Sequence, residues 1–411
     1  QRHRPGVHEV HRGKERDGLT MAPIAAVMTG PGAGAIATIQ LSGESAETVL
    51  REIFRRADDG PFELAAGRIL LGDMIEGEQT IDQVTVGCEG PSEFAIHCHG
   101  NPLIVERIME LLQRRGVQPM RAEQLLARVL MGREPEDSIR VEAKLALTTV
   151  KTIEGARIVA NQSKAGLAGR IRQWQANLDS TPLEQIAAQA KQILKDSDTA
   201  RLILSGCTIA LVGPPNTGKS TLLNTLAGRE KAIVTDIAGT TRDWVSTEIR
   251  IPPLAATIVD TAGLDLSLAA AGQIDQTAQQ RSIEALDRAD LVLLVVEASE
   301  PAGRLPAFLA DLLVGRRTIT VFNKTDLPQR LDASSFPEPL RPVVRISAKL
   351  ETGIESLIQA IHCALGLEGF SLDAAVAFTE RQRILIRRLA EADSRDEMSH
   401  VLAGLLHGAV E

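Results

Sequence analysis

The segment CTIALVGPPNTGKSTLLNTLAG constrains this chain more than any other. An apolar stretch from Cys207 runs into Gly213-x-x-x-x-Gly218-Lys219-Ser220 and then into a helical pattern. Such a strand–loop–helix unit lets backbone N–H groups wrap a chain of phosphates, and the helix N-terminus adds positive potential. Asn216, Thr217 and Thr221 complete the loop and its exit. Lys219 is placed to reach the β- and γ-phosphates, and the Ser220 hydroxyl to ligate Mg²⁺. A plain glycine turn capping a helix calls for neither the lysine nor the hydroxyl. The unit also dictates architecture, because it belongs to a mostly parallel sheet with helices on both faces.

Three further segments follow in order, each after an apolar strand pattern. Asp260, Thr261, Ala262 and Gly263 follow AATIV. Asp260 can hold Mg²⁺ through water, and the Gly263 N–H can sense a γ-phosphate. Asn323, Lys324 and Asp326 (NKTD) follow TITVF, and Ser347, Ala348 and Lys349 follow VVRI. A carboxylate at Asp326 accepts from both guanine N1–H and its 2-amino group. Adenine would leave it unpaired, and such a site rejects the wrong base strongly. GTP and GDP are therefore the expected ligands.

Catalysis has to be arranged unusually. Many GTPases place glutamine after the DTAG glycine to orient water, but here the residue is Leu264. The switch is expected in TDIAGTTRD, which supplies Thr235, Asp236, Ile237, Ala238, Gly239, Thr240 and Thr241. Thr241 is the expected second Mg²⁺ ligand. Asn216 with the Thr235 and Ile237 carbonyls can form an oxygen cage for a monovalent cation, offsetting charge developing at the phosphates. The alternative for Asn216 is a side chain that only braces the loop.

Around this unit the pattern changes. Residues 21–119 mix strands and a helix, 120–206 and 367–411 are helical, and 207–366 alternate strand and helix. The expected fold is thus α/β plus all-α: a phosphate-loop GTPase domain with a doubly wound sheet, inserted into a helical domain split into two parts and preceded by a small α+β domain. Either Met21 is expected to be the functional start, or the polar, basic residues 1–20 are a disordered extension before it. With 2% aromatic residues and a net charge of −8, a broad base-stacking or nucleic-acid face is not indicated. No apolar run approaches the ~18 residues needed to span a bilayer. Four dispersed cysteines suit a reducing, cytoplasmic setting.

Asn216, TDIAGTTRD and DTAGL together resemble the tRNA-modification GTPase family MnmE, also called TrmE. The opening MAPIAAVMTGPGAGAIATIQLSG and the segment FAIHCHGNP are similar to that family's N-terminal domain. The resemblance implies a folate-binding dimerisation domain, a homodimer, and a flavin-dependent MnmG-like partner in modifying the wobble uridine of tRNA. It assigns K⁺ to Asn216, Thr235, Ile237 and Thr240, Mg²⁺ to Ser220 and Thr241, and the catalytic acid to Asp275, with Lys219 also catalytic. An aspartate at 275 is one methylene shorter than the family's glutamate; a solvated helix-start residue is the other reading.

Departures gather on the modification chemistry. The family's arginine before its ISG-like triplet is Gln40, its acid before the histidine segment is Ala95, and the sequence closes LAGLLHGAVE where the family has Cys-x-Gly-Lys. These put formyl-tetrahydrofolate binding in doubt. They also keep two other readings open: a GTP-regulated switch or scaffold without modification chemistry, and a ribosome-assembly GTPase. His97, Cys98 and His99 read as structural, since alternate residues of a strand face opposite ways. Arg381, Arg383, Arg387 and Arg388 read as a solvated helix face, or else a contact for tRNA phosphate.

Overall fold

Strands and helices form where the hydrophobic period changes, and they assemble into two compact units, residues 1–132 and 133–411. The computed structural model describes residues 22–30, 32–58, 63–133, 137–229, 246–260, 283–300, 312–332, 340 and 342–408. The expected extension at 1–20, the switch at 235–241, residues 261–264 and Asp275 lie outside the described residues.

The first unit is built on a seven-stranded sheet. Its strands are β1 (Ile24–Val27), β2 (Ile36–Ser42), β3 (Phe54–Arg56), β4 (Ile69–Glu76), β5 (Gln79–Gly90), β6 (Glu93–His99) and β7 (Gln118–Pro119), in the spatial order β3-β4-β5-β6-β2-β1-β7. Period-2 burial sends Ala37, Ile39 and Leu41 of β2 to one face. That face packs on α1 (Ala46–Ile53) and α2 (Pro102–Arg114) through Leu50, Ile53, Ile108, Leu111 and Leu112. The start of α2 is set locally: Asn101 accepts from the Leu103 N–H, and Pro102 takes the first helical position.

A third helix, α3 (Ala122–Arg133), sets Leu125 against Ile24 and Ala26 of β1. The first unit therefore runs on to Gly132, past the expected boundary at 119/120. Helical periodicity looks the same whichever core a helix covers, and this shifted the expected boundary.

The histidines of β6 are hydrogen-bonded within the sheet. His97 Nδ1 lies 3.0 Å from Thr38 Oγ1, and His99 Nδ1 2.7 Å from Asp82 Oδ1. Cys98 points the other way into the core, and burial pushes its thiol up to about 11. Among the described residues no group of histidines, cysteines and acids could hold a metal ion, and no helix is long and apolar enough to cross a membrane.

The second unit has a helical part drawn from both ends of its sequence. Helices α4 (Ser138–Ala146), α5 (Ile153–Gln162), α6 (Leu167–Ala176) and α7 (Leu183–Ser205) precede the sheet. Ile139, Leu167, Ile171, Trp174 and Ile186 share one core with Ile386, Leu389, Met398 and Leu402 from helices at residues 380–391 and 395–407. Between them lies a six-stranded sheet of β8 (Cys207–Val212), β9 (Ser246–Ile251), β10 (Leu254–Asp260), β11 (Leu291–Glu297), β12 (Thr318–Asn323) and β13 (Val343–Arg345). Its order is β13-β12-β11-β8-β10-β9, parallel except for the β9–β10 hairpin. Strands buried on both faces read as unbroken apolar runs, as LVLLVVE in β11 does.

Helix α8 (Lys219–Arg229) follows β8, and α9 (Ile354–Ala364), α10 (Glu380–Glu391) and α11 (Arg395–His407) close the unit. Arg381 on α10 is not on a solvated face. It is largely buried and donates to Glu142 of α4, joining the two halves of the helical part. Arg383 pairs with Asp198 of α7 at 2.7 Å.

Candidate functional site

Ligands of open parallel sheets bind beyond the carboxyl ends of the strands, near a switch in strand order. Here β8 lies between β10 and β11, and its carboxyl end delivers the loop at residues 213–218. Two glycines in that loop are required by neighbours. A Cβ on Gly213 (φ 148°) would fall 2.0 Å from the Val295 carbonyl of β11. One on Gly218 (φ 91°) would fall 2.3 Å from Asn323 Nδ2. Larger residues would push the loop off the sheet.

Within the loop, Lys219 Nζ donates to the carbonyls of Gly213 and Pro214, both at 3.0 Å. Thr217 Oγ1 donates to the Pro214 carbonyl at 3.0 Å. The ammonium thus spans the loop at residues 213–218. Ser220 and Thr221 are exposed at the first turn of α8. Asn216 is exposed and left-handed at φ 63°, an uncommon conformation that asparagine tolerates better than most residues.

The NKTD and SAK segments converge on the same end of the sheet. Asn323, only 2% exposed, donates from Nδ2 to the Thr217 carbonyl at 2.9 Å, and its Oδ1 accepts from the Ala348 N–H at 2.9 Å. It ties the loop at residues 213–218 to the NKTD and SAK segments, a bracing task that its motif position does not reveal. Thr225 of α8 adds a buried bond to the Ala348 carbonyl at 2.9 Å. Asp326 Oδ1 accepts from Ser347 Oγ at 2.6 Å. That hydroxyl, then the backbone N–H of Asp326 itself, hold its carboxyl below the usual range, so it is a carboxylate at neutral pH. Lys349 is exposed beside it.

One site residue escaped the sequence reading. Glu297, at the carboxyl end of β11, pairs with Lys324 Nζ at 2.5 Å and accepts from Ser299 Oγ at 2.5 Å. The signal was an acid closing an apolar central strand, at the end of the sheet where ligands bind.

The donor set fits Mg²⁺. At the end of β10, Asp260 Oδ1 is buried and has no hydrogen-bond partner among the described residues. A buried carboxylate oxygen left without a donor is costly unless a cation or bound water completes it. Asp260 and Ser220 are the described residues that would hold the ion. Thr241, the three other switch positions Asp236, Ala238 and Gly239, and the K⁺ residues Thr235, Ile237 and Thr240 lie outside the described residues, with Thr261, Ala262, Gly263 and Asp275.

Residues 208–324 match the family model described as "50S ribosome-binding GTPase", and residues 23–124 match "GTP-binding protein TrmE N-terminus". Curated relatives span both regions. A tRNA modification GTPase MnmE of Synechococcus sp. is 34% identical over 425 residues, covering 91% of this chain and 88% of that protein. The protein of the same name from Thermus thermophilus is 32% identical over 414 residues, covering 91% and 90%. That from Enterococcus faecalis is 30% identical over 371 residues, covering 81% and 79%.

Proposed function

The chain belongs to the MnmE family of tRNA-modification GTPases and is a GTP-hydrolysing enzyme, and from that premise we propose that Mg²⁺-dependent, K⁺-assisted hydrolysis in its 207–366 region serves modification of the tRNA wobble uridine. The observation that carries the potassium reading is Asn216. Thr217, Lys219 and Asn323 already brace the loop, and Asn216 stands exposed within it at φ 63°. The bracing alternative is thereby left with little to do.

In this mechanism the loop N–H groups and Lys219 bind the phosphates, and Asp326 fixes the base. Ser220, Thr241 and Asp260 would hold Mg²⁺, which would supply positive charge beside the phosphates. Asn216, with Thr235, Ile237 and Thr240, would hold K⁺, which would supply charge to offset that developing at the phosphates. Because Leu264 has no polar group to orient water, that task falls to Asp275. The remaining GTP contacts are those of the switch residues Asp236, Ala238 and Gly239. A homodimer and a flavoprotein partner belong to the same reading.

Formyl-tetrahydrofolate does not fit the first unit. Gln40 and Ala95 face each other across β2 and β6, so the arginine and the acid that the resemblance expects are lost as a pair. Gln40 Nε2 instead donates to Glu89 Oε2 at 3.2 Å. No step is routed through that cofactor. A ribosome-assembly role is disfavoured because the TrmE-type unit at 23–124 accompanies the GTPase.

Potassium assistance is testable by initial rates of GTP hydrolysis in matched KCl and NaCl with Mg²⁺. The expected result is roughly 100- to 1,000-fold faster turnover in K⁺, the size typical of losing one electrostatic contribution to the transition state. Equal rates would eliminate the cation site.

A further inference from the structure

The base-reading loop contains a feature that its motif does not explain. Lys324 adopts a left-handed backbone at φ 62°, a strained conformation that is uncommon for a non-glycine residue. It lies between Asn323, which is locked in the interior, and Asp326, which must meet the base. Its backbone turn therefore decides where the Asp326 carboxylate points. Something has to hold that turn.

The restraint comes from β11. Glu297 Oε2 takes Lys324 Nζ at 2.5 Å, and Ser299 Oγ donates to the other carboxylate oxygen at 2.5 Å. Both oxygens of Glu297 are thus engaged, and the Lys324 and Ser299 hydrogen bonds hold its carboxyl below the ordinary range. The backbone next to Glu297 is fastened as well. The Ala298 N–H donates to the Asn323 carbonyl at 2.8 Å, and the Ala298 carbonyl accepts from the Arg330 N–H at 2.8 Å. The carboxylate sits on a rigid strand end and acts on the neighbouring loop through one charged contact.

We propose that Glu297, oriented by Ser299, is a positioning residue for guanine recognition: by holding Lys324 it fixes the left-handed turn that aims Asp326 at the base. This rests on the reading of residues 323–326 as the base site. Glu297 touches neither the base nor the phosphates in this role. Its loss should weaken binding of a nucleotide while sparing a ligand that is phosphate alone.

Equilibrium titration of the full chain with GDP and with pyrophosphate tests this, using wild type, Glu297→Gln, Ser299→Ala and Asp326→Asn. Glu297→Gln is expected to weaken GDP about 10-fold, the size of one lost charge-assisted hydrogen bond, without a comparable loss for pyrophosphate. Ser299→Ala should shift GDP in the same direction by less. It leaves the ion pair in place, so it keeps the test valid if Glu297→Gln folds poorly. In a Lys324→Ala background, Glu297→Gln should add no further loss. Unchanged GDP affinity in both Glu297→Gln and Ser299→Ala, or equal loss of GDP and pyrophosphate, would overturn the proposal. Asp326→Asn separates the two layers. If it fails to move preference from GDP to xanthosine diphosphate, the base-site reading itself falls. If it moves preference while Glu297→Gln leaves GDP binding intact, only the positioning role falls.

Discussion

Asp326→Asn is expected to convert the nucleotide site from guanine to xanthine preference, with GTP affinity falling by about 10³-fold and xanthosine triphosphate binding in its place. The carboxylate accepts two hydrogen bonds from guanine, from N1–H and from the 2-amino group. An asparagine there still accepts at its oxygen but turns an N–H₂ toward the 2-amino group, setting donor against donor. Xanthine carries a carbonyl at that carbon and restores the match. A polar site left unpaired discriminates by orders of magnitude, whereas shape alone yields one or two. The surrounding frame should survive the change, because Ser347 Oγ donates to Asp326 Oδ1 and can donate equally to an amide oxygen. Competition binding with the two triphosphates checks this; a variant that still prefers GTP would remove Asp326 from base recognition.

The largest expected effect on stability lies far from the nucleotide. Glu142, only 3% exposed, accepts from Arg381 Nε at 2.8 Å and Nη2 at 2.7 Å. It also accepts from Gln382 Nε2 at 2.7 Å and Thr379 Oγ1 at 2.9 Å. Arg381 continues to the carbonyls of Gly404 and Leu405 near the end of α11. Removing one partner of such a cluster strands a buried charge and typically costs about 3–5 kcal/mol, a large part of a usual stability of about 5–15 kcal/mol. Glu142→Ala should lose that amount in chemical denaturation, followed through the helical part of the second unit. Replacing Glu142 and Arg381 together with apolar residues of similar volume should recover much of the loss, because neither charge is then left alone. A single-variant loss below about 1 kcal/mol would show that water reaches the pair and screens it.

These two cases mark what could and could not be seen in the amino-acid order. Local constraints were legible. The run from Cys207 through Ser220 needed only strand, loop and helix signals within one short window, and the fold reproduces it. Asp326 and Ser347 were legible because each motif closes its own strand. Asn323 stands out in its motif, but its bracing bonds to Thr217 and Ala348 span 106 and 25 positions, and no pattern marks them. Arg381 reads as one arginine among four on a helix, and its partner lies 239 positions earlier. A long-range pair leaves no local period, so a buried arginine looks like a surface one. Helix α3 has the same difficulty, since its periodicity does not say which core Leu125 covers. The switch threonines and Asp275 rest on their motifs, being outside the described residues.

The first unit sharpens the functional question. Its sheet carries the TrmE-type pattern, yet its Gln40–Ala95 pair lacks the charges that the resemblance expects. GTP chemistry and modification chemistry therefore have to be tested together. The most direct measurement is mass spectrometry of wobble uridine in tRNA from a modification-deficient cell expressing either the wild-type chain or its Lys219→Ala variant. Restored modification with the wild type and none with the variant is the predicted outcome. Unmodified tRNA in cells whose wild-type protein hydrolyses GTP would contradict the account and leave a GTP-regulated switch or scaffold in its place.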